Sequence, residues 1–255
     1  MFGQGFNYGF LGKPLCFTDT TDIFKDNSGV ALYTLDYDGS DSGNATGKFS
    51  EAAVFNGSSS KIVTGLTLPA DSSMSFSLWF KTSTTGVDQQ LFGEADSNFS
   101  NLSIRIGLWF MQSNNNIRVW IANGSSQWYT TLAGVSYLDG NWHNFVLSIN
   151  GTSVKLYADG ASTPILDTTS SVAFGTAGVT PLTIGAPGSA WAASYFWTGE
   201  IDQVRIFNKE ISSSEVTTLY NETKNTTNTL QILGDTSCIA TYTFDGSSTD
   251  LSGNY

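Results

Sequence analysis

The sequence predicts an all-β fold of short antiparallel strands with one short helix near its C-terminal end. Three observations predict it. Only 13% of the 255 residues are charged, and 26 are glycine; helical surfaces carry many Lys and Glu, whereas short strands joined by polar turns do not need them. Apolar residues recur with period two through the middle of the chain. Turn dipeptides such as Asn150-Gly151 and Asp159-Gly160 punctuate these runs. A hydrophobic fraction of 40% over this length is enough for one sizeable core.

The elements follow in order between about residues 25 and 225. Met74, Phe76, Leu78 and Phe80 share one face of a strand, as do Leu102, Ile104, Ile106, Leu108 and Phe110. A Ser-Asn-Asn-Asn turn at 113–116 leads to Ile117, Val119 and Ile121, which makes a hairpin. His143, Phe145, Leu147 and Ile149 form another apolar face, and Asn150-Gly151 turns the chain into Val154, Leu156 and Ala158. Ser212 and Glu215 have capping-box spacing, and Val216, Leu219 and Tyr220 share one helical face, so the helix is expected at about 213–222.

Residues 26–36, DNSGVALYTLD, recur in register as DTSCIATYTFD at 235–245. A lone first strand cannot bury its apolar face. The expected organisation is therefore a segment at 1–24, a domain at 25–225, a linker at 226–234, and at 235–255 the first strand of a second, truncated repeat. In the first segment Phe2, Phe6, Tyr8 and Phe10 alternate with glycine and polar residues. Solvated tails are poor in aromatics, so this segment is expected to dock on another surface.

The formal net charge of −11 supplies no basic footprint for phosphate backbones or anionic membrane, so neither nucleic acid nor membrane is an expected partner. Cys16 and Cys238 lack metal-ligand spacing; they read as two thiols, with a disulfide between them left open. The N-terminus has no basic start and no continuous apolar stretch, so it does not read as a secretory signal.

Four stretches carry a resemblance. GNWHNFVLSINGTSVKLYADG (140–160) resembles the central hairpin of laminin G-like jelly rolls, and GEIDQVRIFNKEISSSEVTTLYNE (199–222) their closing strand and helix. SFSLWFKT (75–82) is similar to an early core strand and AAVFNGSSSKI (52–62) to the segment before it. The resemblance implies a two-sheet antiparallel β-sandwich of the concanavalin A-like jelly-roll type with one short C-terminal helix. The overall style also resembles virion proteins of tailed bacteriophages, marine ones in particular. That implies other virion proteins, of capsid or tail, as partners through the N-terminal segment, cell-surface glycans and a homo-oligomer as further partners, and assembly in the host cytoplasm. The alternative is a bacterial carbohydrate-binding module or adhesin at the cell surface.

The sandwich also carries family-16 glycoside hydrolases, which space their carboxylates as Glu-x-Asp-x-Glu on one strand. Retaining enzymes need two carboxyl groups about 5 Å apart. Glu200-Ile201-Asp202 begins that pattern, but Val204 is the next residue expected on the same face and Arg205 follows it. No catalytic residue is assigned, and the protein is expected not to be an enzyme. His143, the only histidine, reads as a packed residue.

The loop DYDGSDSGN (36–44) clusters oxygen ligands, which suits Ca²⁺ as well as an acidic turn closed by Asx hydrogen bonds. Jelly rolls of the resembling family hold structural Ca²⁺ near such turns, which implies Asp41 and Asn44 as ligands with Asp202. Trp79, Trp109, Trp120 and Trp142 fall opposite the main apolar row of their strands, beside Lys81, Arg105, Arg118 and Asn144. Trp79, Trp109 and Trp120 are the expected carbohydrate-binding rings, because sugars stack C–H faces on exposed aromatics. A covering layer, loop or subunit is the other reading of the same pattern.

Overall fold

Period-two patterning builds two sheets that bury their apolar rows against each other. The protein is described by a computed structural model for residues 32–34, 44–49, 51–95, 104–175, 180–188, 195–222, 233, 237–242 and 249–250. In chain order the strands are β1 (Leu32–Thr34), β2 (Asn44–Thr46), β3 (Glu51–Asn56), β4 (Ile62–Val63), β5 (Ser73–Lys81), β6 (Gln89–Ala95), β7 (Ile104–Phe110) and β8 (Ile117–Ala122). They continue with β9 (Gln127–Leu132), β10 (His143–Asn150), β11 (Ser153–Ala158), β12 (Leu166–Thr169), β13 (Thr183–Ile184) and β14 (Thr198–Phe207). The helix α1 (Ser213–Tyr220) comes next, then β15 (Cys238–Tyr242) and β16 (Thr249–Asp250). A ten-stranded sheet runs β12-β11-β10-β5-β14-β15-β1-β16, with β3 also pairing along β14 and β2 along β3. A six-stranded sheet runs β4-β13-β6-β7-β8-β9.

The sheet registers put the expected rows where they meet. Leu78 lies opposite Phe145, Phe76 opposite Leu147 and Met74 opposite Ile149, all buried in one core. The six-stranded sheet answers with Ile106, Leu108 and Phe110 from β7 and Ile117, Val119 and Ile121 from β8. Phe76 stacks on Phe92 across the sandwich, with ring centroids 4.9 Å apart. Each such side chain contributes about 1.5–3 kcal/mol by leaving water. Asn114 and Asn115 close the β7–β8 hairpin with φ of 65° and 55°, values that Asn tolerates better than most residues.

The helix forms a third layer. Glu215 accepts a 2.8 Å bond from the Ser212 backbone N–H, as the capping-box spacing requires. Val216 and Leu219 then pack on Val146, Tyr157, Phe207 and Ile211, on the outer face of the ten-stranded sheet. Gly160 admits this layer, since a Cβ there would lie 2.5 Å from the Tyr220 side chain.

One expectation needs correcting. Pairing of β14 with β5 slips between Asp202 and Arg205, where Gln203 has φ of 50°. This bulge shifts the alternation, so Val204 enters the core with Ile201 and Ile206. Arg205, not Val204, follows Asp202 on the outer face. Residues 238–242 belong to the segment expected to carry the first strand of a second repeat. They pair antiparallel with β14 inside this sheet, and Tyr242 is fully buried in the main core.

Candidate functional site

The outer face of the six-stranded sheet carries a run of aromatic rings. Trp120 lies opposite Tyr129 in the β8–β9 register, and their rings stack at 4.8 Å with 17° between planes. Trp109 stacks on Trp120 at 5.9 Å and 23°. The Trp109 indole leans back over Gly107, so a Cβ at that position would lie 2.7 Å from the ring. The Arg118 guanidinium sits 4.7 Å from the Tyr129 centroid and 5.9 Å from that of Trp109. Its Nε donates to Thr131 Oγ1 at 3.4 Å, which fixes it above the rings.

Within this run the exposed ring is not one of those expected. Trp109 and Trp120 retain only 8% and 6% of their surface, whereas Tyr129 is 50% exposed. The two tryptophans therefore act as supports, and Tyr129 presents the open face. Tyr129 is absent from the expected rings because its segment, QWYTTL, lacks the row of large aliphatic residues that marks the core strands. The signal was available: Gln127, Tyr129 and Thr131 alternate with Trp128, Thr130 and Leu132 after an Asn123-Gly124 turn.

Trp79 is a different case. It lies on the outer face of the other sheet, 1% exposed. Tyr220 stacks on it at 5.2 Å, Phe49 meets it edge-on at 6.2 Å, and its Nε1 donates to Glu222 Oε1 at 3.3 Å. Lys48 Nζ stands 4.1 Å from the ring centroid. No face is open to a sugar, and the carbohydrate-binding assignment of Trp79 is corrected: the ring anchors the helical layer.

The carboxylates of β14 are each engaged. Glu200 pairs with Lys81 at 3.4 Å. Asp202, fully buried, accepts a 3.0 Å bond from the Phe49 backbone N–H. Arg205 forms a fork with Glu222 at 2.8 and 2.7 Å. Burial works against the Arg205 charge and the Glu222 carboxylate more than offsets it, so its pKa stands above the ordinary value. Strand register links Asn44 to Ala53 and Ala53 to Ile201, so Asn44 lies two strands from the residue preceding Asp202. Asp41, Phe2, Phe6, Tyr8 and Phe10 lie outside the described residues. Among those described, no group of three or more His, Cys, Asp or Glu converges on a metal position.

His143 bridges two carboxylates at the rim. Its Nδ1 is 2.9 Å from Asp159 and its Nε2 3.1 Å from Asp139. Both nitrogens then donate, which requires the imidazolium. The bond to Asp159 raises its pKa most, burial opposes this, and the bond to Asp139 adds to it. Asp139 is held down at about 2, first by its bonds from Asn141 and then by His143. A raised histidine stabilises the fold fully below its unfolded pKa of about 6.5, and that stability is lost as pH rises through the folded value. A depressed aspartate stabilises above its unfolded value, and that is lost as pH falls toward 2. The melting temperature is thus expected to peak between about pH 4 and 6.5. His143→Gln should flatten the decline above that window in a pH series of thermal melts.

Two sheets packed face to face, antiparallel in all but the β1–β15 pair, with one short helix after β14, define a concanavalin A-like jelly roll. The chain belongs to the concanavalin A-like lectin/glucanases superfamily, whose laminin G-like family model matches residues 55–217. Comparison with curated proteins gives no match. Among solved structures, the chain is similar to a native heptameric SAP-like pentraxin from Limulus polyphemus (18% identity, TM-score 0.53, covering 67% of this chain and 82% of that one). It is similar also to the CBM40 of the Ruminococcus gnavus IT-sialidase (15%, TM-score 0.50, 67% and 98%). A third is a putative carbohydrate binding protein from Bacteroides ovatus ATCC 8483 (13%, TM-score 0.53, 80% of this chain and 56% of that one). At these identities the likeness is one of fold.

Proposed function

We propose that the protein is a non-enzymatic glycan-binding protein whose sugar platform is Tyr129 with Arg118, stiffened from beneath by Trp120 and Trp109. The observation that carries this reading is the half-exposed Tyr129 ring at the end of the stack. A sugar lays its C–H face on such a ring while neighbouring N–H and hydroxyl groups bind its oxygens. The buried tryptophans fix the ring in advance, which lowers the entropy cost of binding. Carbohydrate-binding proteins among the fold neighbours favour the same class of ligand. The engaged state of Glu200, Asp202 and Glu222 supports a binding role over hydrolysis, since the pattern Glu-x-Asp continues into Arg205.

In the same reading, residues 1–24 attach the domain to a larger particle, as in the virion proteins it resembles, and the jelly roll projects outward. A structural Ca²⁺ is assigned to Asp41, Asn44 and Asp202. The oxygen chemistry of this set suits that ion, and the register sets Asn44 on the second strand from Ile201, the residue before Asp202.

The test is calorimetric titration of the intact chain with oligosaccharides chosen from a glycan array, with and without EDTA. Tyr129→Ala is expected to weaken binding by about tenfold or more, equivalent to about 1.4 kcal/mol, at unchanged melting temperature. EDTA is expected to lower the melting temperature while leaving the platform itself in place. Binding unaffected by Tyr129→Ala would move the site elsewhere, and a melting temperature indifferent to EDTA would remove the calcium.

A further inference from the structure

The repeat and the sheet topology meet at one place. Along one edge, β14 pairs with β3 from Thr198 to Ile201 and with β15 from Val204 to Phe207. The second half of this edge is an acceptor for one strand. Its present occupant is the second copy of the repeated motif, whose Tyr242 fills the core and whose Thr241 is 1% exposed. The first copy, β1, lies on the far side of that occupant and runs parallel to it.

The register of this pair is informative. Leu32 lies opposite Thr241 and Tyr33 opposite Tyr242. These are the same residues that the repeat aligns, DNSGVALYTLD with DTSCIATYTFD. The two copies therefore differ by a sideways shift of one strand, about 4.8 Å, with no reversal and no slip along the strand. A copy that is parallel and in register with β15 is antiparallel to β14 and already aligned for its edge. The sequence retains what the slot needs: Ala31-x-Tyr33 matches Ala240-x-Tyr242, so the tyrosine that enters the core is present in both.

We propose that the Val204–Phe207 edge of β14 is a strand-binding site with two interchangeable donors, β15 (Cys238–Tyr242), which occupies it, and the first copy of the repeat, which carries β1. Its ligand is an extended strand that carries the repeated Ala-x-Tyr, with the tyrosine opposite Val204. When the first copy enters, the second is released with the residues that follow it. Such strand addition draws affinity from main-chain hydrogen bonds and specificity from the alternate side chain, here tyrosine. The same site then accepts the motif in trans, from a second molecule of this chain.

Disulfide trapping in the full-length chain, with Cys16 and Cys238 replaced by Ser, tests this. Val204 is the residue opposite Tyr242. Val204→Cys with Tyr242→Cys should cross-link readily. Val204→Cys with Tyr33→Cys should also cross-link, more slowly, on a scale of minutes to hours under mild oxidation. The link should expose the second copy to protease. A second pair whose thiols stay as reactive as in the single variants overturns the proposal. Thermal melts keep the question open to refutation if a cysteine pair does not fold. Tyr33→Ser or Tyr242→Ser alone should melt within a few degrees of the parent, and the double variant roughly 10 °C lower. A peptide of residues 28–36 should restore part of that loss. Tyr242→Ser melting as low as the double variant, or equal rescue by a scrambled peptide, overturns it.

Discussion

Glu222→Gln is expected to destabilise the fold by about 3–5 kcal/mol, because it leaves a buried guanidinium without its counter-ion. Arg205 has no exposed surface, and both its terminal nitrogens are committed to the Glu222 carboxylate, at 2.8 and 2.7 Å. Glu222 follows α1, so this fork ties the end of the helix to the middle of the ten-stranded sheet. Equilibrium urea unfolding measures the loss, read as a lower midpoint at unchanged slope. Replacing both partners, Arg205→Met with Glu222→Leu, is expected to recover most of it, since two apolar residues remove the charge and its desolvation together. The loss should also be insensitive to salt, unlike that of an exposed pair. A double variant as unstable as the single one would show that the pair contributes more than charge balance.

The rows facing the core were legible because burial on one face leaves a two-residue signature that needs no partner to be seen. Met74 to Phe80, Ile106 to Phe110 and Phe145 to Ile149 all lie where that alternation puts them. The helix was legible for a similarly local reason, a Ser and a Glu three residues apart. The outer faces were not legible. Alternation assigns Trp79, Trp109 and Trp120 to the side away from the main core, but it carries no information about what lies on that side. For Trp79 it is the helix, joined to it through Tyr220 and Glu222, residues more than 140 positions along the chain. For Trp109 and Trp120 it is in part each other and Tyr129. The bulge after Asp202 escaped for another reason. No glycine marks it, and Gln203 holds a positive φ that sequence patterns do not announce. The repeat was seen, but a sequence shows only that two strands are alike. That both lie side by side in one sheet is a fact of topology.

Trp79→Ala is expected to destabilise the protein by about 3–5 kcal/mol, the range for truncating a fully buried aromatic, and to leave glycan affinity unchanged per folded molecule. Four contacts go at once: the stack on Tyr220, the edge contact with Phe49, the N–H bond to Glu222 and the Lys48 ammonium over the ring. The first and third hold the end of the helical layer, so amide exchange should quicken in residues 213–222 before it does in β7 and β8. Trp79→Phe restores packing without the N–H donor and is expected to recover all but about 1–2 kcal/mol. The binding measurement separates two roles for the ring. The Tyr129 stack and Trp79 lie on the outer faces of different sheets, so truncating one leaves the other's surroundings intact. If Trp79→Ala instead abolished binding at nearly unchanged stability, the ring would be a sugar platform and the helical layer would have to open to admit the ligand. Chemical denaturation and titration on the same preparations decide between these outcomes.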